Sequence, residues 1–379
     1  MHAPTTPRDL LAQMVSHDTV NPNFGGRAGG EAALAAHLER LAQGWGLRTR
    51  RCPCGEGGDF NLLVTCEAVP GGEWLLFESH LDTVSTVGMT IDPLAGKIEG
   101  GRLYGRGACD TKGTGAAALW ALREYARRPA RPRNVALLFA IDEEAHMRGA
   151  QAFARTELRE FLPKLRGIIV GEPTGLRPIV AHNGAVRWRT ITRGVAVHSS
   201  DPTRGKSAIS AMVRVVEALE TRFVPLANRQ HPLTGRAAAS INTIRGGTAV
   251  NIIPDRCEIE VDRRMAPGET AGQIWRERDA ALAGLEVEHD SPYVAPALGE
   301  ELSRDFHAWL APVLARHGAD PSPSGAPYVT DASHYAAAGA AAIVLGPGNL
   351  AQAHTKDEWL ALDQLDLGVA VYGELMAAG

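Results

Sequence analysis

Along the first 180 positions, apolar runs alternate with stretches whose apolar residues recur every three or four positions. Positions 31–44 are of the second kind, with Leu34, Leu38 and Leu41 on one helical face. Positions 74–78 form a short apolar run that stops at Ser79-His80-Leu81-Asp82. A helical pattern covers 111–127, and a buried-strand pattern covers 134–141 and stops at Asp142-Glu143-Glu144. Positions 167–170 repeat the theme and end in Gly171-Glu172-Pro173-Thr174. Strand, helix, strand in this order predicts an α/β unit with a largely parallel sheet.

The character changes near position 180. Strand patterns at 185–193, 240–244 and 256–264 flank helical ones at 206–221 and 268–284, which predicts a smaller α+β module. From about 295 the α/β character returns, with helices at 302–317 and 363–377 and a strand at 342–345. The expected division is 1–180 plus 295–379 for the larger domain and 181–294 for an insert. A length of 379 residues suits two domains. No internal repeat or low-complexity linker interrupts the pattern.

Composition excludes several classes. With 39 Lys and Arg against 43 Asp and Glu, the formal charge is −4, which leaves no basic footprint for nucleic acid and no polybasic membrane anchor. The longest nearly apolar stretch, 335–348, is too short and too rich in Gly and Ala to span a bilayer. The opening MHAPTTPRDLLAQMV lacks the apolar core of a signal peptide. Five cysteines, an odd number in a long chain, argue against a disulfide framework and for the cytoplasm.

The chemistry gathers where the apolar runs stop, as functional groups do in parallel sheets. In chain order the candidates are His80 and Asp82, Asp110 in GRGACDTKG, Glu143 and Glu144, Glu172, and His354 in AQAHTKDE. Two imidazoles and three carboxylates suit a pair of zinc-like divalent ions. One carboxylate can bridge two ions about 3.5–4 Å apart. The doubled Glu143-Glu144 offers one ligand and one base. Each element alone has a plainer reading: a solvated histidine, a charged face, or Asp110 as a helix cap. Their joint occurrence at successive strand ends is what points to a metal centre.

With these motifs in this order, the sequence resembles the metal-dependent peptidase and deacylase family. That family includes acetylornithine deacetylase, succinyl-diaminopimelate desuccinylase, aminoacylase and glutamate carboxypeptidase. The resemblance runs from LLAQMVSHDTVNP to GPGNLAQAHTKDEWL. It implies that His80 and Glu172 bind one metal and that Glu144 and His354 bind the other, with Asp110 bridging. Zn2+ is the expected ion, and Co2+ or Mn2+ could take its place. Asp82 is implied to hydrogen-bond the far nitrogen of His80 and fix its tautomer. Glu143 is implied to be the general base that takes a proton from water and returns it to the leaving amine.

The insert is implied to be a ferredoxin-like lid that also makes a homodimer. Within it, GVAVHSSDPTRGKSAIS matches the stretch whose histidine reaches the neighbouring subunit's site, so His198 would stabilise the oxyanion. The plainer reading of His198 is a turn histidine capped by Ser199 and Ser200. Asn251 in GGTAVNIIPD and Arg264 in VDRRMAPGE match positions that bind the substrate's carboxylate. Arg263 is adjacent, and strand alternation allows only one of the pair to face a substrate.

HSSDPTRG, DRRMAPG, Thr330-Asp331-Ala332, EEAHMRGAQAF and LGPGNLAQAH lean toward the acetylornithine deacetylase branch, and so toward arginine biosynthesis. Asn183, where lysine is common, leans away from it. The expected substrate is a small N-acyl amino acid that loses an acetyl group. A desuccinylase, an N-acetylcitrulline or other N-acyl amino acid deacylase, a dipeptidase or exopeptidase, and an inactive binding relative are the alternatives. No GxSxG elbow is present for a serine hydrolase. Several residues are read as structural: Cys109 as packing, Cys52-Pro53-Cys54 as a surface loop, His146 and His182 as non-ligands, and Tyr104 and Trp120 as core or groove packing.

Overall fold

The structure is a computed structural model that describes residues 3–55 and 57–378. It divides into two compact units: Met1–Val180 with Glu300–Ser324 and Thr330–Gly379, and Ala181–Gly299 with Gly325–Val329.

The first unit is built on a sheet ordered Arg48–Pro53, Phe60–Cys66, Asn134–Ala140, Trp74–His80, Leu165–Val170, Ala342–Val344, Ile179–His182, Ser324–Ala326. Its four central strands, from Asn134–Ala140 to Ala342–Val344, run parallel. Their sequences, NVALLFA, WLLFESH and LRGIIV among them, are nearly continuous apolar runs, as expected for strands covered on both faces. The helix Lys112–Ala126 is buried almost all round. Its glycines and alanines let it pack against Pro7–Val15 and Leu362–Ala377. Thr6 and Asp9 form a capping box that starts Pro7–Val15.

Arg48–Pro53 has no apolar run to announce it, because it is an edge strand studded with arginines. The Cys52-Pro53-Cys54 reading needs correction here. Cys52 lies on that edge strand and, with Cys54, is buried, while Pro53 between them is exposed. The alternation of an extended chain turns both thiols inward, and a CxC spacing alone does not separate that from a surface loop. All five cysteines are free. Among the described residues, no helix is long and apolar enough to cross a membrane.

The second unit carries an antiparallel sheet ordered Ala238–Gly246, Arg256–Met265, Gly184–Arg193, Glu288–Ala295. Helices Ala208–Ala218 and Ala271–Ala281 supply Met212, Val215 and Ile274 to a core shared with Val186, Trp188, Ile259 and Val261. Period-2 alternation in RCEIEVDRRM buries Cys257, Ile259, Val261, Arg263 and Met265. Arg263 therefore points inward, where it pairs with Glu269 at 2.6 Å, and Arg264 points to the other face. Glu288–Ala295 escapes detection from sequence because EHDSPYVA is polar, and its proline sits on an edge strand.

Candidate metal centre

Strand register brings the acidic and histidine loops together at the carboxyl ends of the central strands of the first unit's sheet. His80 pairs in parallel with Ala140, and Glu78 pairs with both Leu138 and Val170. The three strands thus end nearly level, and the next few residues of each emerge side by side: Leu81-Asp82, Asp142 to Glu144, and Gly171-Glu172. Gly171 allows the last of these turns. A Cβ there would lie 2.0 Å from Thr114 Cγ2 and 2.8 Å from the Glu78 carbonyl oxygen. Gly149 does the same for the Glu143-Glu144 loop, where a Cβ would meet the Ile141 backbone nitrogen and oxygen at 2.6 Å. Asp142 and His354 both hold positive φ, 62° and 57°, an uncommon backbone state found where a loop must turn sharply toward a site.

Asp110 lies at the middle of the cluster. His80 Nε2 is 3.1 Å from Asp110 Oδ1 and 3.9 Å from Glu172 Oε1. On the other side, His354 Nε2 is 3.2 Å from Asp110 Oδ2 and 3.1 Å from Glu144 Oε1. His80, Asp110 and Glu172 thus form one triplet of possible ligand atoms and Asp110, Glu144 and His354 a second, each with its atoms within 4.8 Å of one another. The donor set fits two divalent cations. It offers nitrogen and oxygen donors in two converging groups with one shared carboxylate.

Electrostatics favour the same reading. Burial pushes the Glu172 and Glu143 carboxyls well above the usual carboxylate range, and neighbouring carboxylates push them further. Glu144 is raised for the same reasons, with His354 opposing. Burial alone would lower the His80 imidazole, but Asp110 and Asp82 hold it well above its ordinary value. Asp110 and Glu144 push His354 up to about 10. Asp110 itself stays low despite burial, because His354 and His80 both hydrogen-bond it. Excess negative charge in a desolvated pocket is the condition that a bound cation relieves.

Asp82 is fully buried beside His80 and has further partners that the sequence did not imply. The nearest atom to His80 Nδ1 is the Asp82 backbone carbonyl oxygen, at 2.9 Å; the carboxylate Oδ1 is at 3.6 Å. The carboxylate also accepts the backbone N–H of Glu143 at 3.0 Å and of Glu144 at 3.1 Å. Asn21 Nδ2 donates to the same carboxylate at 2.8 Å and to Asp142 Oδ1 at 2.9 Å. Asp82 is therefore a clamp on the loop that carries Glu143 and Glu144.

Sequence reading missed Asn21, Arg106 and Glu358. Asn21 belongs to the quoted DTVNP segment and Glu358 to HTKDE, yet neither bears a signal apart from its neighbours. Glu78 and Tyr335 were missed too, and Asp331, quoted within Thr330-Asp331-Ala332, was given no role at the site. Asp331 is fully buried, and among the described residues neither of its carboxylate oxygens has a hydrogen-bond partner, nor do Glu78 Oε1 and the Tyr335 hydroxyl. Burial pushes Asp331 up to about 8.

His198, Asn251 and Arg264 belong to the second unit. His198 pairs across an antiparallel ladder with Ile252, and the Asn251 carbonyl oxygen accepts the Ser199 N–H at 3.0 Å, so the His198 and Asn251 segments are neighbours. The Ser200 N–H donates to His198 Nδ1 at 3.2 Å, and the Ser200 hydroxyl lies 2.8 Å from the same nitrogen. Arg264, half-buried, donates to Asp262 at 2.8 Å. His182 is fully buried with Nδ1 2.8 Å from the Asn183 carbonyl oxygen, and Asn183 accepts from Thr234. His146 is exposed, 3.6 Å from Asp142.

The family profile described as Peptidase family M20/M25/M40 matches residues 76–378. A relative from Edwardsiella ictaluri (strain 93-146), named acetylornithine deacetylase, is 33% identical over 355 residues, covering 88% of this chain and 89% of that protein. A solved M20 family metallo-carboxypeptidase, Sso-CP2 from Sulfolobus solfataricus, superimposes with a TM-score of 0.81 at 15% identity, over 99% of both chains. The Bacillus subtilis protein described as a dinuclear metal binding peptidase from M20 family gives 0.70 at 15% identity, over 98% of this chain and 96% of that one. The chain belongs to peptidase family M20/M25/M40 and is a metal-dependent hydrolase acting on amides.

Proposed function

We propose that this hydrolase removes the acetyl group from N-acetyl amino acids, with N2-acetyl-L-ornithine as the first substrate to test and arginine biosynthesis in the cytoplasm as the setting. The observation that carries the reading is the pair of ligand triplets sharing Asp110, with Glu143 beside Glu144 on a loop fixed by Asp82. His80 and Glu172 would hold one cation, Glu144 and His354 the other, and Asp110 both; zinc suits this nitrogen and oxygen set, and cobalt or manganese could replace it. Bound there, such ions polarise a carbonyl oxygen and make water acidic enough to yield a nucleophile near neutral pH.

The protein's own groups do the rest. Glu143 takes the proton from the attacking water and carries it to the departing amine nitrogen. A carboxyl raised by burial is suited to both halves of that transfer. His198, reaching the site of the neighbouring subunit, donates to the carbonyl oxygen as negative charge develops there. Arg264 and Asn251 hold the substrate's carboxylate, for which a planar guanidinium is well shaped. Asp82, grouped with the catalytic residues by resemblance, acts through the Glu143-Glu144 backbone.

The second unit is assigned as lid and dimerisation domain of a homodimer. Supporting this, its edge strand Ala238–Gly246 exposes Ile244, and helix Ala208–Ala218 exposes Ile209 and Val213. An open strand edge beside apolar side chains suits a second copy of the chain.

The test is amine release by metal-loaded protein from N-acetylornithine, N-acetylcitrulline, N-acetylmethionine, N-succinyl-diaminopimelate and several dipeptides. A preference for N-acetylornithine supports the proposal. Preference for the succinylated or peptide substrates leaves the chemistry and overturns the substrate.

A further inference from the structure

The bridging position ends a buried glycine-containing loop whose start is held by backbone bonds, Gly105 N–H to the Glu358 carbonyl oxygen at 3.0 Å and Arg106 N–H to that of Pro93 at 2.8 Å. Gly105 and Gly107 take φ of 148° and 81°, and glycines contribute no side chain that could anchor the turn. What fixes the end of this loop is a carboxylate from elsewhere. Glu358 Oε1 accepts the backbone N–H of Cys109 at 3.0 Å and of Asp110 at 3.1 Å. Its Oε2 accepts from Arg106 at 2.6 Å, and both residues are buried. Arg106 also donates to the carbonyl oxygens of Ser85 at 2.9 Å and Thr355 at 3.4 Å.

Glu358 follows His354 closely in the chain, and Thr355 is the residue next to His354. The backbone of the Asp110 loop and the backbone of the His354 loop are thus tied to one another through Glu358 and Arg106. The two side chains those loops carry converge, with His354 Nε2 3.2 Å from Asp110 Oδ2. A carboxylate serving only to neutralise Arg106 would not need its second oxygen on two N–H groups at the bridging ligand.

We infer that Glu358 is a positioning residue for the dinuclear centre: it sets the place of the shared carboxylate Asp110 relative to His354. This rests on the two-cation reading of the site. Because Asp110 belongs to both triplets, displacing it weakens both positions together. Removing partners of this kind typically costs about 10–100-fold in metal affinity or activity.

The experiment is titration of the chelator-treated full-length protein with Co2+, followed by its visible absorption, for wild type, Glu358→Gln and Glu358→Asp. Glu358→Gln places an amide where one face needs an acceptor for two N–H groups and the other an acceptor for Arg106. Glu358→Asp keeps the charge but shortens the reach, and it decides the matter where the first variant does not fold. Both variants are expected to bind Co2+ about 10–100-fold more weakly at both positions, with altered visible bands. Two ions bound with wild-type affinity and spectrum by a folded variant, whatever its melting temperature, overturn the assignment. Failure of the wild type itself to bind two ions overturns the two-cation reading, and this assignment with it.

Discussion

Asn21 and Asp82 are joined by a 2.8 Å hydrogen bond between two fully buried side chains from segments far apart in sequence. The same amide reaches Asp142 at 2.9 Å, so one side chain ties the opening segment, the His80 strand end and the Glu143-Glu144 loop together. Hydrogen bonds to charged groups are each worth about 1.5–3 kcal/mol. Asn21→Ala is expected to lower the melting temperature and to reduce kcat roughly tenfold or more, with KM little changed. Wild-type kcat in a folded variant would show that the Asp82 clamp works without Asn21.

Glu143→Gln removes the proposed base and keeps its shape. General-base loss typically costs roughly 10²–10⁴-fold in rate. The variant is expected to retain its metal content, measured by elemental analysis, because Glu143 is in neither ligand triplet. Glu144→Gln is expected to lose bound metal as well as activity.

Adjacent arginines should respond differently. Arg263 is fully buried and paired with Glu269, so Arg263→Ala strands a buried carboxylate at a cost of about 3–5 kcal/mol, read by denaturant unfolding. Arg264 is on the other face and half-buried, so Arg264→Ala should leave the unfolding midpoint near wild type and raise KM for acetylated amino acids. An unchanged KM would remove Arg264 from substrate binding.

Those two arginines also show how far the sequence carries. Alternation alone says that they face opposite ways; which one faces the core depends on the register of the whole strand, seen only when its apolar neighbours are placed. The ligand candidates His80, Glu144 and Glu172 were legible because each follows an apolar run that had to stop somewhere. Glu358, Asn21 and Arg106 were not, because their importance lies in hydrogen bonds to groups distant in the chain: Glu358 to the Cys109 N–H and to Arg106, and Asn21 to the Asp82 and Asp142 carboxylates. Glu78 is hidden for another reason: a charged residue inside a fully buried strand breaks the apolar pattern that defines the strand.

Proton release should accompany metal uptake. His354 is held near 10 by Asp110 and Glu144, above its ordinary 6.5, and a ligand imidazole must be neutral. In chelator-treated protein the raised value contributes stability that is fully present below about 6.5 and is lost as pH rises toward about 10. Metal affinity runs the other way and strengthens over the same window. Calorimetric titration at pH 7.5 in buffers of different ionisation enthalpy should show an apparent binding enthalpy that varies with the buffer. Buffer-independent enthalpy would contradict a protonated His354 before metal binding.

The central claim is a two-ion amidohydrolase, and its most direct test is hydrolysis of N-acetylornithine by chelator-treated protein as Zn2+ is added back in measured equivalents. The account predicts negligible activity at the start, recovery as two ions bind per chain, and no recovery for Glu143→Gln at the same metal content. Full activity in the chelated protein, or in Glu143→Gln, would contradict it.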